Sequence, residues 1–174
     1  MNTWESAAIE QYPSNGFTDS QTALFYNGLY APHGYNLMEI LTAVCIRPNP
    51  RIDLGPVDDS CPLILCDMTQ PDQPIVYASP AFSYMTGYTF DEIRGHNCRF
   101  LQAPGGQVYP RTTRRFVDDG TVQKMRRALE RRREIQLEVV NFKKNGQSFV
   151  NILTMIPVMV NGREHCVGFQ CERE

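Results

Sequence analysis

The sequence has no long apolar run, no marked excess of one charge and no signal-like beginning. The longest nearly apolar stretch, Ile40 to Ile46, spans seven residues, far short of the roughly 20 that a membrane-spanning helix needs. The first twenty residues lack a basic start followed by an apolar stretch, so we expect no secretory signal. With 17 basic and 19 acidic side chains, the net charge is −2. This balance excludes a protein that binds nucleic acid through overall positive charge.

The six cysteines and three histidines are scattered, and no two cysteines form a CxxC pair. This spacing argues against a zinc site. Without a secretory signal we expect a reducing compartment, in which the six cysteines are free thiols. Most free cysteines are small buried hydrophobic residues, so a functional role for one of them requires separate evidence.

The 174 residues are enough for one ordinary domain with an extension. Residues 1–60 are rich in proline and show no strand alternation, so we predict an N-terminal extension that acts as a cap. One short helix is expected within it, at about 35–46, because Leu37, Ile40, Leu41 and Val44 recur at helical spacing. The more regular pattern of residues 61–174 predicts the main domain.

Two strands, several short helices and three further strands follow one another in this main domain. The predicted elements are a hairpin of 62–67 and 75–78, a helix capped by Ser79 and ended by Gly87, a helical turn opened by Thr89 and stopped by Gly95, a helix at 121–132, and strands at 134–144, 147–158 and 163–172. A parallel doubly wound sheet requires alternating strands and helices, so it is excluded. The order predicts an α+β fold with a five-stranded antiparallel sheet and short helices on one face.

Three carboxamides are predicted to share one apolar face of this sheet. Asn141 and Asn151 each alternate with apolar residues in their strands, and a two-residue Asn161-Gly162 turn pairs position 153 with Gln170. Buried amides need hydrogen-bond partners. A flat heteroaromatic ligand would supply them; alternatively, the amides pair with one another or with nearby backbone.

The opposite sheet face is also apolar, and an open antiparallel sheet usually exposes one face to water. Its residues are Val140, Phe142, Val150, Ile152 and Ile156. We expect the 1–60 extension to cover them through Phe25, Leu29, Tyr30, Leu37 and Leu41; otherwise this face is an association surface.

The segment GHNCRFLQ, residues 95–102, places Cys98 between two polar residues and ahead of an apolar pair. Arg99 is suited to lowering the pKa of the thiol and to binding a phosphate. This segment resembles the GxNCRFLQ signature of LOV domains, the flavin-binding light sensors of the PAS superfamily. The resemblance extends from about Cys61 to Glu172 through YASPAFSYMTGYTFDEIR, TVQKMRRAL, EVVNFKKNG and VGFQ. The preceding segments are similar to the N-terminal cap of fungal short LOV photoreceptors.

The resemblance implies a PAS/LOV fold and a blue-light photoreceptor in which Cys98 forms a reversible adduct with flavin. It implies that Asn97 and Gln102 contact the ribityl chain or ring edge of the flavin, and that Arg99 and Arg126 hold its phosphate. Asn141 and Asn151 are implied to bind the pyrimidine edge of the ring. Gln170 is implied to contact the ring atoms whose protonation changes. If both asparagines contact flavin, the Asn145-Gly146 loop must hold an odd number of residues, because a two-residue turn would place them on opposite faces.

We expect the cofactor to be FAD, with FMN also accepted. Residues 103–120 form a connection longer than that of plant-type LOV domains, and Arg111, Arg114 and Arg115 within it suit a second phosphate and stacking on adenine. The alternative is a mobile surface loop.

By resemblance, the partners are a second copy of the chain in light and a larger white-collar-type LOV transcription factor, in photoadaptation, with cytoplasmic and nuclear localisation. Gln170 and Cys61 are expected to relay the signal to the cap. Direct contact with nucleic acid is not expected, because the basic residues of 124–133 lie mostly on a solvated helix face. No membrane contact is expected.

The cysteine and histidine content allows two other functional classes to be considered for this sequence. A cysteine hydrolase needs a general base, and His33, His96 and His165 have no supporting motif, so we expect no enzyme. A flavin-binding PAS redox or ligand sensor without photochemistry is the alternative function, and the presence of Cys98 argues against it.

Overall fold

A computed structural model describes residues 34–110 and 114–173 of the chain. The described residues form four helices, α1 (Leu37–Cys45), α2 (Pro80–Thr86), α3 (Phe90–Ile93) and α4 (Asp119–Glu130), and five strands, β1 (Leu63–Asp67), β2 (Ile75–Ala78), β3 (Ile135–Phe142), β4 (Ser148–Val160) and β5 (Arg163–Glu172). Two 3₁₀ segments, Cys98–Gln102 and Pro104–Gly106, lie between α3 and α4. Within these described ranges no helix is long and apolar enough to cross a membrane.

The strands form one antiparallel sheet in the order β2-β1-β5-β4-β3. This arrangement confirms the predicted α+β fold with five antiparallel strands. At the edges of the sheet, β2 pairs with β1 and β3 pairs with β4, and the strands of each pair follow one another in the chain. At the centre, β1 and β5 pair although about a hundred residues of sequence separate them. The sheet therefore joins the two ends of the main domain at its centre.

Local capping explains where the helices begin. The Asn36 side chain accepts a hydrogen bond from the Met38 N–H, and Ser79 caps α2 with Pro80 in its first turn. Thr89 and Glu92 form the predicted capping box of α3. Helix α4 begins two residues before the predicted start because the Asp118 carboxylate accepts the Thr121 N–H at 2.9 Å.

The two hairpins have the predicted geometry. Asn161 and Gly162 both have positive φ, and their turn pairs Leu153 with Gln170. At the other hairpin, the Lys143 N–H donates to the Gln147 carbonyl at 2.8 Å, and Gly146 has a φ of 86°. The loop thus has three residues with Gly146 in the left-handed region, which confirms the odd-length condition and places Asn141 and Asn151 on one face.

Helix α1 packs on the face of the sheet opposite the other helices. Its buried residues Leu37, Ile40, Leu41 and Val44 contact a cluster that includes Ile156, Val158, Val167 and Phe169. Part of the predicted cap is thereby confirmed. Phe25, Leu29 and Tyr30 lie outside the described residues. Towards β3 the same face is more open, since Val140 remains 36% exposed and Val150 and Ile152 are half-buried.

Candidate functional site

A cavity of about 1030 Å³ lies mainly against the sheet face opposite α1 and extends to the end of α1, where Ala43, Ile46 and Arg47 line it. The sheet contributes carboxamide and apolar side chains to it, and the 3₁₀ segment after α3 contributes the cysteine motif. The polar and charged residues of its wall that the sequence singled out are Asn97, Cys98, Arg99, Gln102, Arg114, Arg126, Asn141, Asn151 and Gln170. The volume is at the upper end of the range typical for small-molecule sites.

The three predicted carboxamides lie together on the cavity face. Asn141, Asn151 and Gln170 are 3%, 1% and 3% exposed. The Asn151 Nδ2 donates to the Asn141 Oδ1 at 2.8 Å, and the Asn151 Oδ1 accepts the Cys171 N–H at 3.2 Å. The two asparagines therefore satisfy part of their hydrogen bonding with each other and with backbone, as one of the two sequence hypotheses stated.

Two carboxamide oxygens in the cavity have no partner among the described residues. These atoms are the Oε1 of Gln170 and the Oε1 of Gln102, both buried, while the Gln170 Nε2 donates to the Gly168 carbonyl. Leaving a buried acceptor unsatisfied costs about 1–3 kcal/mol. A ligand with hydrogen-bond donors on its ring or chain would remove this cost, so the residues present fit a polar-edged ring bound against the sheet.

The 3₁₀ segment Cys98–Gln102 presents the cysteine to the cavity. The Asn97 Oδ1 accepts the Arg99 N–H at 3.0 Å and so caps the segment. A hydrogen bond from the Cys66 thiol lowers the pKa of Cys98; burial opposes this shift, and the positive charges of Arg99 and Arg114 add to it. Cys98 thus has more thiolate character than an ordinary cysteine, which favours reaction at its sulfur.

Three arginines meet at one end of the cavity. Burial lowers the pKa of Arg114, and the nearby charges of Arg99 and Arg126 lower it further. An anion placed among these like charges would be stabilised by them. Arg99 is also held by Asp72, with Nη–Oδ distances of 2.7 and 2.6 Å. A phosphate bound at this end of the cavity would therefore compete with the Asp72 carboxylate for Arg99.

The loop arginines differ in position. Arg114 lines the cavity, whereas Arg115 is exposed and is not part of the wall. Arg111 lies outside the described residues. Cys61 does not line the cavity either: it packs beside the α1 cluster, and its carbonyl accepts the Ser79 hydroxyl at 2.9 Å. Its place next to the cap fits the relay role, which remains a prediction from the sequence.

Asp72 and Cys66 were not predicted as site residues. Asp72 lies in the turn between β1 and β2, 27 positions from the arginine that it binds, and a turn aspartate carries no signal of such a partner. Strand β1 is buried at all five positions, so no alternation indicates that Cys66 faces the cavity.

The histidines give no support to a cysteine hydrolase. His165 is buried, and its Nε2 and Nδ1 lie 2.9 Å from the Tyr35 hydroxyl and 3.0 Å from the Arg163 carbonyl. Because a carbonyl only accepts, Nδ1 carries the proton and Nε2 accepts from Tyr35. Both ring nitrogens are thus occupied, one by the cap and one by the backbone of β5. His96 is exposed, and His33 lies outside the described residues.

The chain matches the family model of the PAS domain over residues 61–171. This segment contains the sheet except for Glu172 at the end of β5, and the whole cavity wall except for residues contributed by the cap. The chain belongs to the PAS-domain family.

Within that family, the chain is similar to Vivid, a blue-light photoreceptor of known structure. Photo-excited Vivid is 59% identical with a TM-score of 0.77, and the light-state dimer of Vivid is 57% identical with a TM-score of 0.76. Each comparison covers 83% of this chain and 99% of the Vivid chain. The predicted membership among fungal short LOV photoreceptors is confirmed.

Two larger fungal proteins are also similar. Blue light receptor lreA of Aspergillus flavus is 48% identical over 149 residues, which is 84% of this chain and 17% of lreA. White collar 1 protein of Neurospora crassa is 40% identical over 162 residues, which is 92% of this chain and 14% of that protein. The chain therefore spans less than a fifth of either relative.

Proposed function

We propose that the chain is a blue-light photoreceptor in which Cys98 forms a reversible bond with a flavin held in the cavity. The observation that carries this function is that the Cys98 thiol, three carboxamides and three arginines surround one cavity. A bound flavin supplies blue-light absorption and a ring carbon that accepts the thiol sulfur. The similarity to Vivid and to blue light receptor lreA supports the same function.

Different residues of the cavity hold different parts of the flavin in this proposal. Asn141 and Asn151, fixed by their mutual hydrogen bond, hold the pyrimidine edge of the flavin. Gln102 and Gln170 present unsatisfied Oε1 atoms to its remaining polar atoms, and Asn97 lies beside the ribityl chain. Arg99 and Arg126 bind the phosphate, and phosphate binding at Arg99 competes with Asp72.

We propose FAD as the preferred flavin, with FMN also bound. Arg114 supports this preference, since it is a third cation at the phosphate end and is partly desolvated there. A second phosphate would be stabilised by it. Arg111 and Arg115 remain proposed contacts for the second phosphate or adenine.

The signal is proposed to travel from Gln170 through β5 and β4 to the cap. The Gln170 amide would face a nitrogen of the flavin ring, and by rotating it can present its oxygen to that atom in place of its N–H groups. Gln170 pairs with Leu153 of β4, and the far end of β4 packs under α1. A small shift there would loosen α1 and the region around Cys61.

We propose that the loosened cap then supports a homodimer in light. The structure of Vivid as a light-state dimer and the open face around Val140 and Ile152 support this step. A white-collar-type LOV transcription factor is the proposed further partner, supported by similarity to White collar 1 protein. We further propose a role in photoadaptation and localisation in the cytoplasm and the nucleus. We also propose that the chain signals without enzymatic activity.

The test is an absorption spectrum of the purified protein after incubation with FAD or FMN and removal of the free flavin. The proposal expects a yellow protein whose blue band bleaches under blue light and returns in darkness. A colourless protein after incubation with either flavin would contradict it. A yellow protein that never bleaches would favour the alternative of a flavin-binding sensor without photochemistry. Mass spectrometry of the released flavin tests the FAD preference.

A further inference from the structure

Three of the six cysteines line the cavity. They are Cys66 on β1, Cys98 on the 3₁₀ segment and Cys166 on β5. Cys66 and Cys166 are directly opposite each other in the register of β1 and β5. Cys98 packs against the buried apolar cluster to which Cys66 belongs, together with Ile64, Ile75 and Phe100. The chain thus places a second thiol in the cluster beside Cys98, and each of the two thiols shifts the pKa of the other.

The members of this thiol cluster differ in reactivity. Cys98 is half-buried, and its pKa is lowered by the hydrogen bond from Cys66 and by the charges of Arg99 and Arg114, against the opposing effect of burial. Cys66 is buried, and the hydrogen bond with Cys98 and its burial raise its pKa. Burial raises the pKa of Cys166 to about 12. Only Cys98 combines partial access with thiolate character.

A low-pKa, accessible cysteine next to a second thiol is the arrangement of thiol-based redox sensors. The accessible thiolate reacts with the oxidant, and the neighbouring thiol resolves the product. Cys66 fits the second requirement because it belongs to the buried cluster against which Cys98 packs. Cys166 lines the same cavity but belongs to a different apolar cluster, with Met125 and Met155, and its thiol lies near the Val167 carbonyl.

We propose that Cys66 is a resolving thiol that closes a reversible disulfide with Cys98 when the protein meets a hydroperoxide. The inference rests on the proposed function in one respect, that Cys98 is the thiol which reacts with flavin in light. While its sulfur is bonded to Cys66, Cys98 has no free thiol that can add to the flavin. The protein in this oxidised state therefore does not respond to light.

The reaction balances in two steps. The Cys98 thiolate attacks the peroxide, the O–O bond breaks, and Cys98 becomes a sulfenic acid while hydroxide leaves and takes up a proton as water. The Cys66 sulfur then attacks the Cys98 sulfur, the S–O bond breaks, and a second water leaves with the Cys66 proton. Two thiols are oxidised and one hydrogen peroxide is reduced. A dithiol reverses the disulfide by exchange.

Peptide mapping tests the disulfide without any light reaction. Trypsin cleaves after Arg51, Arg94 and Arg99, so Cys98 is released in the peptide GHNCR, and Cys66 in the peptide 52–94 together with Cys61. The protein is treated with hydrogen peroxide, blocked with iodoacetamide and digested without reductant. We expect GHNCR linked to 52–94, with fragmentation assigning the link to Cys66.

Two variants sharpen this result. Cys66→Ser keeps a hydrogen-bond donor of similar size and should reduce the linked peptide at least tenfold. Cys45→Ser removes an exposed cysteine outside the cavity wall and should leave the amount of linked peptide as in the wild type. A link from Cys98 to Cys61 or Cys166, a disulfide between two chains, or oxidation of Cys98 to sulfinic acid without any link would overturn the proposal.

Bleaching of the flavin-loaded protein completes the test. We expect the fraction of bleaching lost after peroxide to match the fraction of linked peptide, and dithiothreitol to restore both. If the disulfide forms but the untreated protein never bleaches, the proposed light reaction fails and the resolving thiol stands. If the untreated protein bleaches but no Cys66–Cys98 link forms, the resolving thiol fails alone.

Discussion

Asn151 forms hydrogen bonds both with Asn141, the other asparagine of the cavity, and with the backbone of β5. Its Nδ2 donates to the Asn141 Oδ1, and its Oδ1 accepts the Cys171 N–H. We expect Asn151→Leu to weaken flavin binding about tenfold, because one hydrogen bond of about 1.4 kcal/mol corresponds to a factor of ten in affinity. Fluorescence titration of flavin into the apoprotein measures this change.

The matched control for that variant is Gln136→Leu. It removes a carboxamide that hydrogen-bonds to Thr154 and lies outside the cavity wall. Equal loss of flavin affinity in both variants would show that the effect comes from the stability of the sheet, and the assigned role of Asn151 would then be wrong.

Gln170 is the residue that we expect to convert the light reaction into a structural change. Its buried Oε1 is unpaired, so rotation of the amide exchanges the groups that face the flavin. Gln170→Leu should retain bleaching but lose at least half of the light-induced dimer. Absorption spectra measure the first property, and size-exclusion chromatography under blue light measures the second.

Gln147→Leu serves as the comparison for this variant, since Gln147 is an exposed glutamine in the β3–β4 loop. It should behave as the wild type in both measurements. If Gln170→Leu bleaches and dimerises fully, the amide has no part in the relay.

At the scale of elements, an ion pair fastens the cap to the sheet. Arg47, just after α1, donates through Nε to Glu134 at 2.7 Å, and both side chains are about 10% exposed. Glu134 also accepts the N–H groups of Arg51 and Ile52 at 2.9 Å. These contacts join the segment between α1 and β1 to the residue that precedes β3.

Because of this ion pair, we expect the free energy of unfolding to depend on pH. Burial raises the pKa of Glu134, but the hydrogen bonds from Arg47, Arg51 and Ile52 outweigh it, so the net shift is downward from 4.5. A depressed pKa stabilises the folded state above the ordinary glutamate pKa, and this contribution is lost as the pH falls through the folded-state value. Glu134→Gln should therefore lower the free energy of unfolding by about 1 to 2 kcal/mol at neutral pH.

The difference between wild type and Glu134→Gln should shrink as the pH falls below about 4.5, the ordinary value. Chemical denaturation over a series of pH values measures it, with Glu130→Gln, an exposed residue of α4, as the control. A difference that stays constant with pH would contradict the assigned ion pair.

The sequence predicted the sheet and its polar face because both depend on short-range periodicity. Alternation in β3 and β4 and the Asn161-Gly162 turn were enough to place Asn141, Asn151 and Gln170 together. The boundaries of α4 were wrong by two residues at each end, because Asp118 caps it earlier and Arg132, with a φ of 49°, lies beyond its end.

Contacts between distant segments could not be predicted in the same way. The ion pair of Arg99 with Asp72 and the packing of Cys98 against the cluster of Cys66 join residues about thirty positions apart, with β2, α2 and α3 between them, and no periodicity specifies such partners. The cap was predicted only from the need to cover an apolar face, which does not indicate that α1 covers β5 and the end of β4 better than β3.

For the whole molecule, we expect a change of assembly with light. The open region around Val140, Val150 and Ile152 adjoins the face that α1 covers, so loosening the cap enlarges one apolar surface. A shift of a few kcal/mol in favour of the loosened state converts most of the population. We expect a monomer in darkness and a homodimer under blue light at protein concentrations well above micromolar.

Size-exclusion chromatography with light scattering compares the two states, and Val140→Glu tests the surface. This substitution places a charge on an already exposed position of β3, so it should weaken the light-state dimer while bleaching is unchanged. Identical elution of the wild-type protein in darkness and in light would rule out the change of assembly.

The central claim is that the Cys98 sulfur is the group that reacts with flavin in light. Its most direct test is the blue-light difference spectrum of Cys98→Ala beside the wild type, both loaded with flavin. The variant keeps the carboxamides and arginines that provide affinity, so we expect it to stay yellow while the reversible bleaching disappears. Normal reversible bleaching in Cys98→Ala would contradict this claim and transfer the reaction to another thiol, with Cys66 the nearest cavity-lining candidate by sequence.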